Sequence, residues 1–180
     1  HDAHGNHGTS EGTYRLHVPP TFQKGTPLPL VVALHGMGGT GAQMERMTGF
    51  SALADRKGFA VAYPDGLNRM WRIWDLRGGR EDTAFIASLL DDLVKAGVAD
   101  ARRVYVTGIS NGAYMANRLA CALGDRIAAI APVAGTFLRA TIVETKAPRA
   151  MPAIYFHGTE DPIVGYDGKD RFSKFEASLS

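Results

Sequence analysis

The chain has 180 residues, of which 45% are hydrophobic and 21% charged, and its formal net charge is +2. These values are typical of a globular protein and exclude a disordered chain or a fibrous repeat. Acidic and basic residues are interspersed, and no apolar run approaches the roughly 20 residues of a membrane span, so composition indicates neither a nucleic-acid-binding nor a membrane protein.

The start of the chain is polar and rich in glycine and histidine, which predicts a disordered tail over residues 1–12. Because the chain begins with His1 rather than methionine, we expect that a preceding segment was removed or is not included. Cys121 is the only cysteine, so no disulfide can form within the chain.

Patterns typical of strands alternate with patterns typical of helices along the rest of the chain. This alternation predicts an α/β fold, in which helices cover both faces of a mostly parallel sheet. The clearest helix is 81–97, where apolar residues recur at helical spacing before a C-terminal glycine. In chain order, the predicted elements are strand 14–18, strand 29–34, helix 50–57, strand 59–63, helix 81–97, strand 104–107, helix 112–123, strand 128–133 and strand 153–156.

A glycine-rich turn at 36–41 follows the first buried strand and reads Gly-Met-Gly-Gly-Thr-Gly. Its spacing is the G-x-G-x-x-G pattern of dinucleotide-binding folds, and Asp65 lies about where a ribose-binding acid would stand. A nicotinamide-dependent oxidoreductase is therefore one alternative. Against it, we expect the helix after Gly41 to begin late or irregularly, which would leave a pyrophosphate without a helix N-terminus.

A second pattern, Gly108-Ile109-Ser110-Asn111-Gly112, fits G-x-S-x-G between a predicted strand and a predicted helix. In this context α/β-hydrolases present a nucleophilic serine on a sharp turn, with glycines where the backbone comes close. Ser110 is therefore the candidate nucleophile, and an ordinary strand–helix turn is the alternative. The N–H groups of Asn111 and of Met37, in the glycine-rich turn, are the candidate oxyanion donors.

A polar turn after the last predicted strand carries the candidate acid. Asp161 follows Ser110 in the chain, which is the order of acid and nucleophile in α/β-hydrolases. It would orient a catalytic histidine and stabilise the imidazolium. Glu160 and Asp167 are weaker alternatives, and an Asx turn without a catalytic role is a further interpretation.

The histidine that this arrangement requires after the acid is missing, since no histidine follows Asp161. His17, His35 and His157 are poor candidates for the base. Residues 172–180 are typical of the start of a helix. We therefore expect residues 13–180 to form an α/β-hydrolase domain that lacks its C-terminal strand and helix, and the histidine with them.

A long loop over residues 64–79 carries two tryptophans and should overhang the serine turn. Trp71 and Trp74, with Tyr114 and Met37, would then form a wall for a feruloyl ring or a polyester acyl chain. Ordinary packing of the loop explains the two tryptophans equally well.

Longer stretches carry a resemblance to a known family: PLVVALHGMGG at 29–39, ADRKGFAVAYPDG at 54–66, the helix at 81–93, RRVYVTGISNGAYMANRLAC at 102–121, AAIAPVAG at 128–135 and HGTEDPIVGY at 157–166. With them the chain resembles the secreted polyhydroxybutyrate depolymerase and feruloyl-esterase-like branch of the α/β-hydrolases. The resemblance implies an extracellular hydrolase of carboxylic esters. By position it implies Ser110 as nucleophile, Asp161 as acid, and Met37 and Asn111 as oxyanion donors. The family's histidine lies in a later Gly-His segment, and its members often have additional cysteines; this chain has neither.

The predicted function is hydrolysis of polyhydroxyalkanoate, feruloyl or related esters through an acyl-enzyme, which needs no metal or organic cofactor. The expected partner is an ester substrate, polymeric or derived from plant cell walls, with no nucleic acid and no membrane. A non-catalytic binding protein on the same fold is the alternative that the missing histidine favours. If residues 1–180 were the whole protein, we would expect little or no turnover.

Overall fold

The computed structural model describes residues 4–9, 12–73, 82–137 and 149–166. Within these ranges the strands are β1 (His4–Thr9), β2 (Gly12–His17), β3 (Leu28–Leu34), β4 (Ala60–Pro64), β5 (Ala99–Ile109) and β6 (Ala129–Val133). The α-helices are α1 (Gly41–Thr48), α2 (Phe50–Lys57), α3 (Asp82–Lys95) and α4 (Asn111–Ala122), and a 3₁₀ turn covers Leu67–Arg69. None of these helices is long and apolar enough to cross a bilayer.

The six strands form one mixed sheet in the order β1-β2-β4-β3-β5-β6. The four strands β4, β3, β5 and β6 run parallel to one another, whereas β2 is antiparallel to both β1 and β4. The predicted α/β fold with a mostly parallel sheet is confirmed. Because parallel strands end at the same edge of a sheet, the loops after β3, β4, β5 and β6 meet there.

The core consists of two apolar clusters, one on each face of the sheet, and the alternation of side chains along the strands assigns residues to them. In β3, Leu30, Val32 and Leu34 face the larger cluster, which includes the apolar faces of α3 and α4. Ala33, between them, faces the smaller cluster, to which Met44 of α1 and Ala54 of α2 belong. Helices therefore cover both faces of the sheet, as predicted.

The helix α3 follows its predicted pattern. Its apolar residues at helical spacing are 0–3% exposed, and each contributes about 1.5–3 kcal/mol by leaving water. Lys95 ends the helix, and Gly97 follows in a left-handed conformation with φ 70°. The buried residues of this face are Phe85, Ile86, Leu89, Leu90 and Leu93.

Two predictions about the first third of the chain are wrong. The tail over residues 1–12 is not wholly disordered, because His4–Thr9 forms β1 and pairs antiparallel with β2. This pairing uses main-chain groups, so the polar composition gave no indication of it. The helix after the glycine-rich turn begins without delay at Gly41, with Thr40 as N-cap accepting from the N–H of Gln43.

The predicted strand at 153–156 pairs with the edge of the sheet without forming a full ladder. Ala153 and Phe156 make isolated parallel bridges to Ile130 and Val133 of β6. The segment therefore continues the parallel sheet by one strand position and delivers the following turn to the same carboxyl edge. The predicted helix start at 172–180 lies outside the described residues.

Candidate active site

Ser110 is the single residue between β5 and α4, and its backbone is strained. Its φ of 53° and ψ of −118° lie where L-residues are rare and cost about 1–3 kcal/mol. The bend is held by two main-chain hydrogen bonds, from Ser110 N–H to the carbonyl of Val133 (2.9 Å) and from Ala113 N–H to the carbonyl of Ser110 (2.8 Å). This strand–turn–helix context is the one that the G-x-S-x-G pattern predicted.

The glycines on either side of Ser110 allow β5, α4 and β3 to approach one another. A Cβ at Gly108 would lie 2.4 Å from the carbonyl oxygen of Gly112, and a Cβ at Gly112 would lie 2.4 Å from that of Leu34. Real side chains never come so close to a backbone oxygen. Any side chain at either position would push the serine turn away from the end of β3.

Replacement of Gly112 by alanine should lower the free energy of unfolding by about 2–4 kcal/mol, because the clash is with immobile backbone. Denaturant unfolding followed by circular dichroism would measure the loss. Gly158→Ala is the matched control, since a Cβ there meets nothing within 4 Å, and it should change stability by less than about 0.5 kcal/mol. Equal stabilities of the two variants would contradict the close packing at Gly112.

The glycine-rich turn after β3 lies directly against the serine. A Cβ at Gly36 would be 3.7 Å from the Cβ of Ser110. Two N–H groups of the turn are already used, since Gly38 donates to the carbonyl of Arg69 (2.7 Å) and Gly39 to that of Gly36 (3.0 Å). Within the described residues the N–H of Met37 has no acceptor, and its side chain is 50% exposed.

The same turn does not have the geometry of a dinucleotide site, even though α1 begins at Gly41. The N–H of Gly41 donates to the carboxylate of Asp65 (2.8 Å). The acid that would bind a ribose therefore occupies the helix N-terminus, where its negative charge would repel a pyrophosphate. The expectation that the helix after Gly41 begins late was therefore wrong. The nicotinamide-dependent oxidoreductase is excluded instead by the position of Asp65 at the N-terminus of α1.

His35 is a buried structural residue and is not available as a base. Its Nε2 accepts from the N–H of Gly66 (2.9 Å), so the proton is on Nδ1, which donates to the carbonyl of Gly36 (2.8 Å). The ring also packs against Trp71, with centroids 4.9 Å apart. Burial lowers the pKa of His35 below its ordinary value and keeps the ring neutral.

Two of the predicted substrate-binding aromatics are in the core. Trp71 is completely buried and Tyr114 is 3% exposed, so neither ring presents a surface to a bound ester. This corrects the prediction of an aromatic wall at these two positions. The indole N–H of Trp71 instead donates to the carbonyl of His35 (2.8 Å). Trp74 lies outside the described residues.

The side chain of Asn111 has a role that the sequence did not reveal. Its Oδ1 accepts from the main-chain N–H of Trp71 (2.7 Å), and its Nδ2 donates to the carbonyl of the same residue (3.1 Å). Asn111 is also the first residue of α4, where helix N–H groups lack intrahelical partners. From the sequence, only the main-chain N–H of Asn111 was predicted to have a role. No local sequence pattern indicates a contact between the Asn111 side chain and a residue 40 positions away.

Asp161 lies after the segment 153–156, at the same edge of the sheet as Ser110. Its Oδ1 accepts from the N–H groups of Ile163 (2.9 Å) and Val164 (3.0 Å), which is an Asx-type turn. These amides, Val164 first, hold the pKa of Asp161 below its ordinary value. Since only β6 separates β5 from the segment 153–156, the ends of these two strands are two strand spacings apart, roughly 10 Å, and the turns that carry Ser110 and Asp161 leave from these neighbouring ends.

The other two histidines with described side chains are both engaged in contacts away from Ser110, with the acid turn and with Asp55. The Nε2 of His157 donates to the carbonyl of Val164 (2.7 Å) and lies 3.7 Å from Asp161, so it holds the acid turn together. His17 is buried on β2, three strands from β5, and pairs with Asp55 at 2.7 Å. Of the predicted alternatives to Asp161, Glu160 is exposed and Asp167 lies outside the described residues.

Comparison with known protein families gives a match between residues 12–143 and the model of the esterase PHB depolymerase family. Curated relatives include the candidate esterase NocK of Nocardia uniformis subsp. tsuyamanensis, 37% identical over 86% of this chain and 46% of its own length. The bifunctional acetylxylan esterase/xylanase XynS20E of Neocallimastix patriciarum is 31% identical over 88% of this chain and 23% of its length. Poly(3-hydroxyalkanoate) depolymerase C of Paucimonas lemoignei is 36% identical over 72% of this chain and 33% of its own length. The chain thus spans less than half the length of each of these relatives.

Solved structures with the same fold include two esterases. A thermostable esterase superposes over 98% of this chain and 51% of its own chain, with a TM-score of 0.70 and 21% sequence identity. An acetyl xylan esterase from Aspergillus awamori superposes over 72% of this chain and 52% of its own chain, with a TM-score of 0.63 and 24% sequence identity. At such identities the likeness establishes the fold alone, and that fold is the predicted α/β-hydrolase type.

Proposed function

Because the chain belongs to the esterase PHB depolymerase family, we propose that it is the nucleophile-bearing part of a serine hydrolase that cleaves carboxylic esters. The observation that carries the proposal is the strained Ser110 turn packed against the glycine-rich turn. We propose that the N–H groups of Met37 and Asn111 serve as the pair of oxyanion donors that acyl transfer to Ser110 needs.

In the proposed reaction, Ser110 Oγ attacks the ester carbonyl and gives its proton to a histidine, whose other ring nitrogen hydrogen bonds to Asp161. The N–H groups of Met37 and Asn111 stabilise the oxyanion of the tetrahedral intermediate. Its collapse expels the alcohol, which takes the proton from the histidine, and leaves an acyl-serine. Water, activated by the same histidine, then releases the acid. Oδ1 of Asp161 accepts the two turn amides and Oδ2 lies 3.7 Å from Nε2 of His157, so the proposed histidine would approach Asp161 on the Oδ2 side, beside His157.

The substrate class is proposed from two observations. The relatives are named for acetylxylan and poly(3-hydroxyalkanoate) esters, and the family resemblance adds feruloyl esters. Met37 and Leu67, 50% and 42% exposed, lie on two loops joined by the Gly38–Arg69 hydrogen bond and offer apolar surface at the glycine-rich turn, which packs against Ser110. We propose an ester whose acyl group is apolar or aromatic, and a secreted protein that meets it outside the cell.

The full open reading frame that contains residues 1–180 should hydrolyse p-nitrophenyl butyrate, methyl ferulate or a polyhydroxybutyrate film. The chain of residues 1–180 alone should be about 10⁴-fold slower, because His17, His35 and His157 are all otherwise engaged. Assays of culture medium and cells separately would test secretion as well. Equal rates for the two forms would show that a histidine within residues 1–180 is the base, and no hydrolysis by the full reading frame would favour a non-catalytic binding protein.

A further inference from the structure

The loop of residues 66–72, here termed the bracket loop, is bonded at three points to His35 and to the glycine-rich turn that follows it. Gly66 N–H donates to His35 Nε2 (2.9 Å), and the carbonyl of Arg69 accepts from Gly38 N–H (2.7 Å). The indole N–H of Trp71 donates to the carbonyl of His35 (2.8 Å). These contacts hold the chain at His35 and at Gly38, on either side of Met37, and so restrict the direction in which the N–H of Met37 can point.

The bracket loop is also bonded to the start of α4. The main-chain N–H and C=O of Trp71 make a pair of hydrogen bonds to the carboxamide of Asn111, at 2.7 and 3.1 Å. Such a pair resembles the contact between two neighbouring strands and fixes distance and orientation together. Trp71 is thus hydrogen-bonded both to His35, two residues before Met37, and to Asn111, which carries the other candidate oxyanion donor.

The loop itself is held rigidly. Asn68 and Arg69 have positive φ values of 54° and 61°, which cost energy and persist only where the surroundings enforce them. At its far end the N–H of Arg72 donates to the buried carboxylate of Asp82 (2.8 Å), and the carbonyl of Arg72 accepts from the guanidinium of Arg118 (3.2 Å). A strained loop anchored at both ends is suited to fixing other groups in place.

We propose that Trp71 is a positioning residue that fixes the separation of the two oxyanion donors, the N–H groups of Met37 and Asn111. The inference rests on the proposed ester hydrolysis. An oxyanion donor acts only when it lies within hydrogen-bond distance of the charge that develops in the transition state, so a small displacement lowers the rate without weakening substrate binding. The completely buried indole acts on the site through its hydrogen bonds, without touching the substrate.

Trp71→Phe in the full-length protein tests this role, because it removes the indole N–H and leaves both main-chain bonds to Asn111. We expect kcat to fall about 10- to 100-fold while KM changes less than about threefold. The inhibition constant of an aryl trifluoromethyl ketone, which forms an oxyanion on the serine, should rise by the same factor as kcat/KM falls.

Tyr63→Phe is the matched control, since it also removes one hydrogen bond of a completely buried ring, that between its hydroxyl and Ser51. It should leave kcat within about twofold of wild type.

A second readout does not depend on activity. In ¹H–¹⁵N spectra of the full-length protein, Trp71→Phe should shift the amide resonances of both Met37 and Asn111, and Tyr63→Phe should shift neither. If Trp71→Phe leaves kcat, inhibitor affinity and these resonances as in the control, the positioning role is overturned. If the wild type cleaves no ester, the proposed function fails, and the amide resonances still decide whether Trp71 positions the two donors.

Discussion

Replacement of Ser110 by alanine should reduce ester hydrolysis by the full-length protein at least about 10⁴-fold and abolish labelling by a fluorophosphonate. The methyl side chain preserves the Cβ, so the φ of 53° and its strain remain, and the fold should be unaffected. The loss is therefore chemical, since only the Oγ that forms the acyl-enzyme is removed. Steady-state kinetics and intact-mass measurement after labelling would check both parts.

Two further serine variants separate chemistry from stability. Ser110→Gly should be equally inactive but more stable than Ser110→Ala by about 1 kcal/mol, because glycine adopts positive φ without strain. Ser51→Ala loses hydrogen bonds to Glu45 and Tyr63 and should be less stable by about 1–2 kcal/mol while remaining fully labelled. Labelling that survives in Ser110→Ala would show that the nucleophile is another residue.

Replacement of Asp161 by asparagine should lower kcat about 10³- to 10⁴-fold with the acid turn intact. An asparagine Oδ1 can still accept from Ile163 and Val164, so circular dichroism should match the wild type, and unfolding at neutral pH should show only the small loss that comes from removing the charge of the carboxylate. What is lost is the charge that orients and stabilises a histidinium. Glu160→Gln, at the exposed neighbouring position, is the control and should keep full activity.

The pH dependence gives a separate test of the same residue. The Val164 and Ile163 amides lower the pKa of Asp161, so its contribution to stability is complete above the unfolded value of about 3.9 and is lost only as pH falls through the lower folded value. Asp161 therefore stays ionised throughout the range in which a histidine titrates. Removing its charge should lower the histidine pKa and move the acid limb of the rate profile to lower pH. An unchanged acid limb together with unchanged kcat would assign Asp161 to the turn alone.

The parallel part of the sheet could be predicted from the sequence because buried strands are continuous apolar runs. The runs at 29–34, 59–63 and 128–133 became β3, β4 and β6 with shifts of one residue at their ends. In contrast, α1 has only Gly41 and Met44 buried, so its periodicity is weak, and part of its N-terminal capping comes from Asp65, 24 residues away. The polar strand β1 pairs through its backbone, which side-chain patterns do not report.

In the candidate site, too, some residues could be predicted from the sequence and others could not. Ser110 was predicted because a strand, a glycine-flanked turn and a helix follow one another within a dozen residues. The role of Trp71 was misassigned, since a tryptophan in a long loop has the same local sequence whether it faces a substrate or is buried beneath the site. The side chain of Asn111 was overlooked for the same reason, because its partner is 40 residues away.

By itself, the sequence determined the alternation of strands and helices, the serine turn between a strand and a helix, and the order of the candidate nucleophile and the candidate acid, all of which depend on neighbours along the chain. Only the tertiary structure decided that Asp65 occupies the helix N-terminus, that both ring nitrogens of His35 are bonded, and that Trp71 is hydrogen-bonded to both His35 and Asn111. The physical reason is that apolar period and turn chemistry are local properties. Hydrogen bonds between loops, by contrast, depend on which strands the sheet places side by side and in which register.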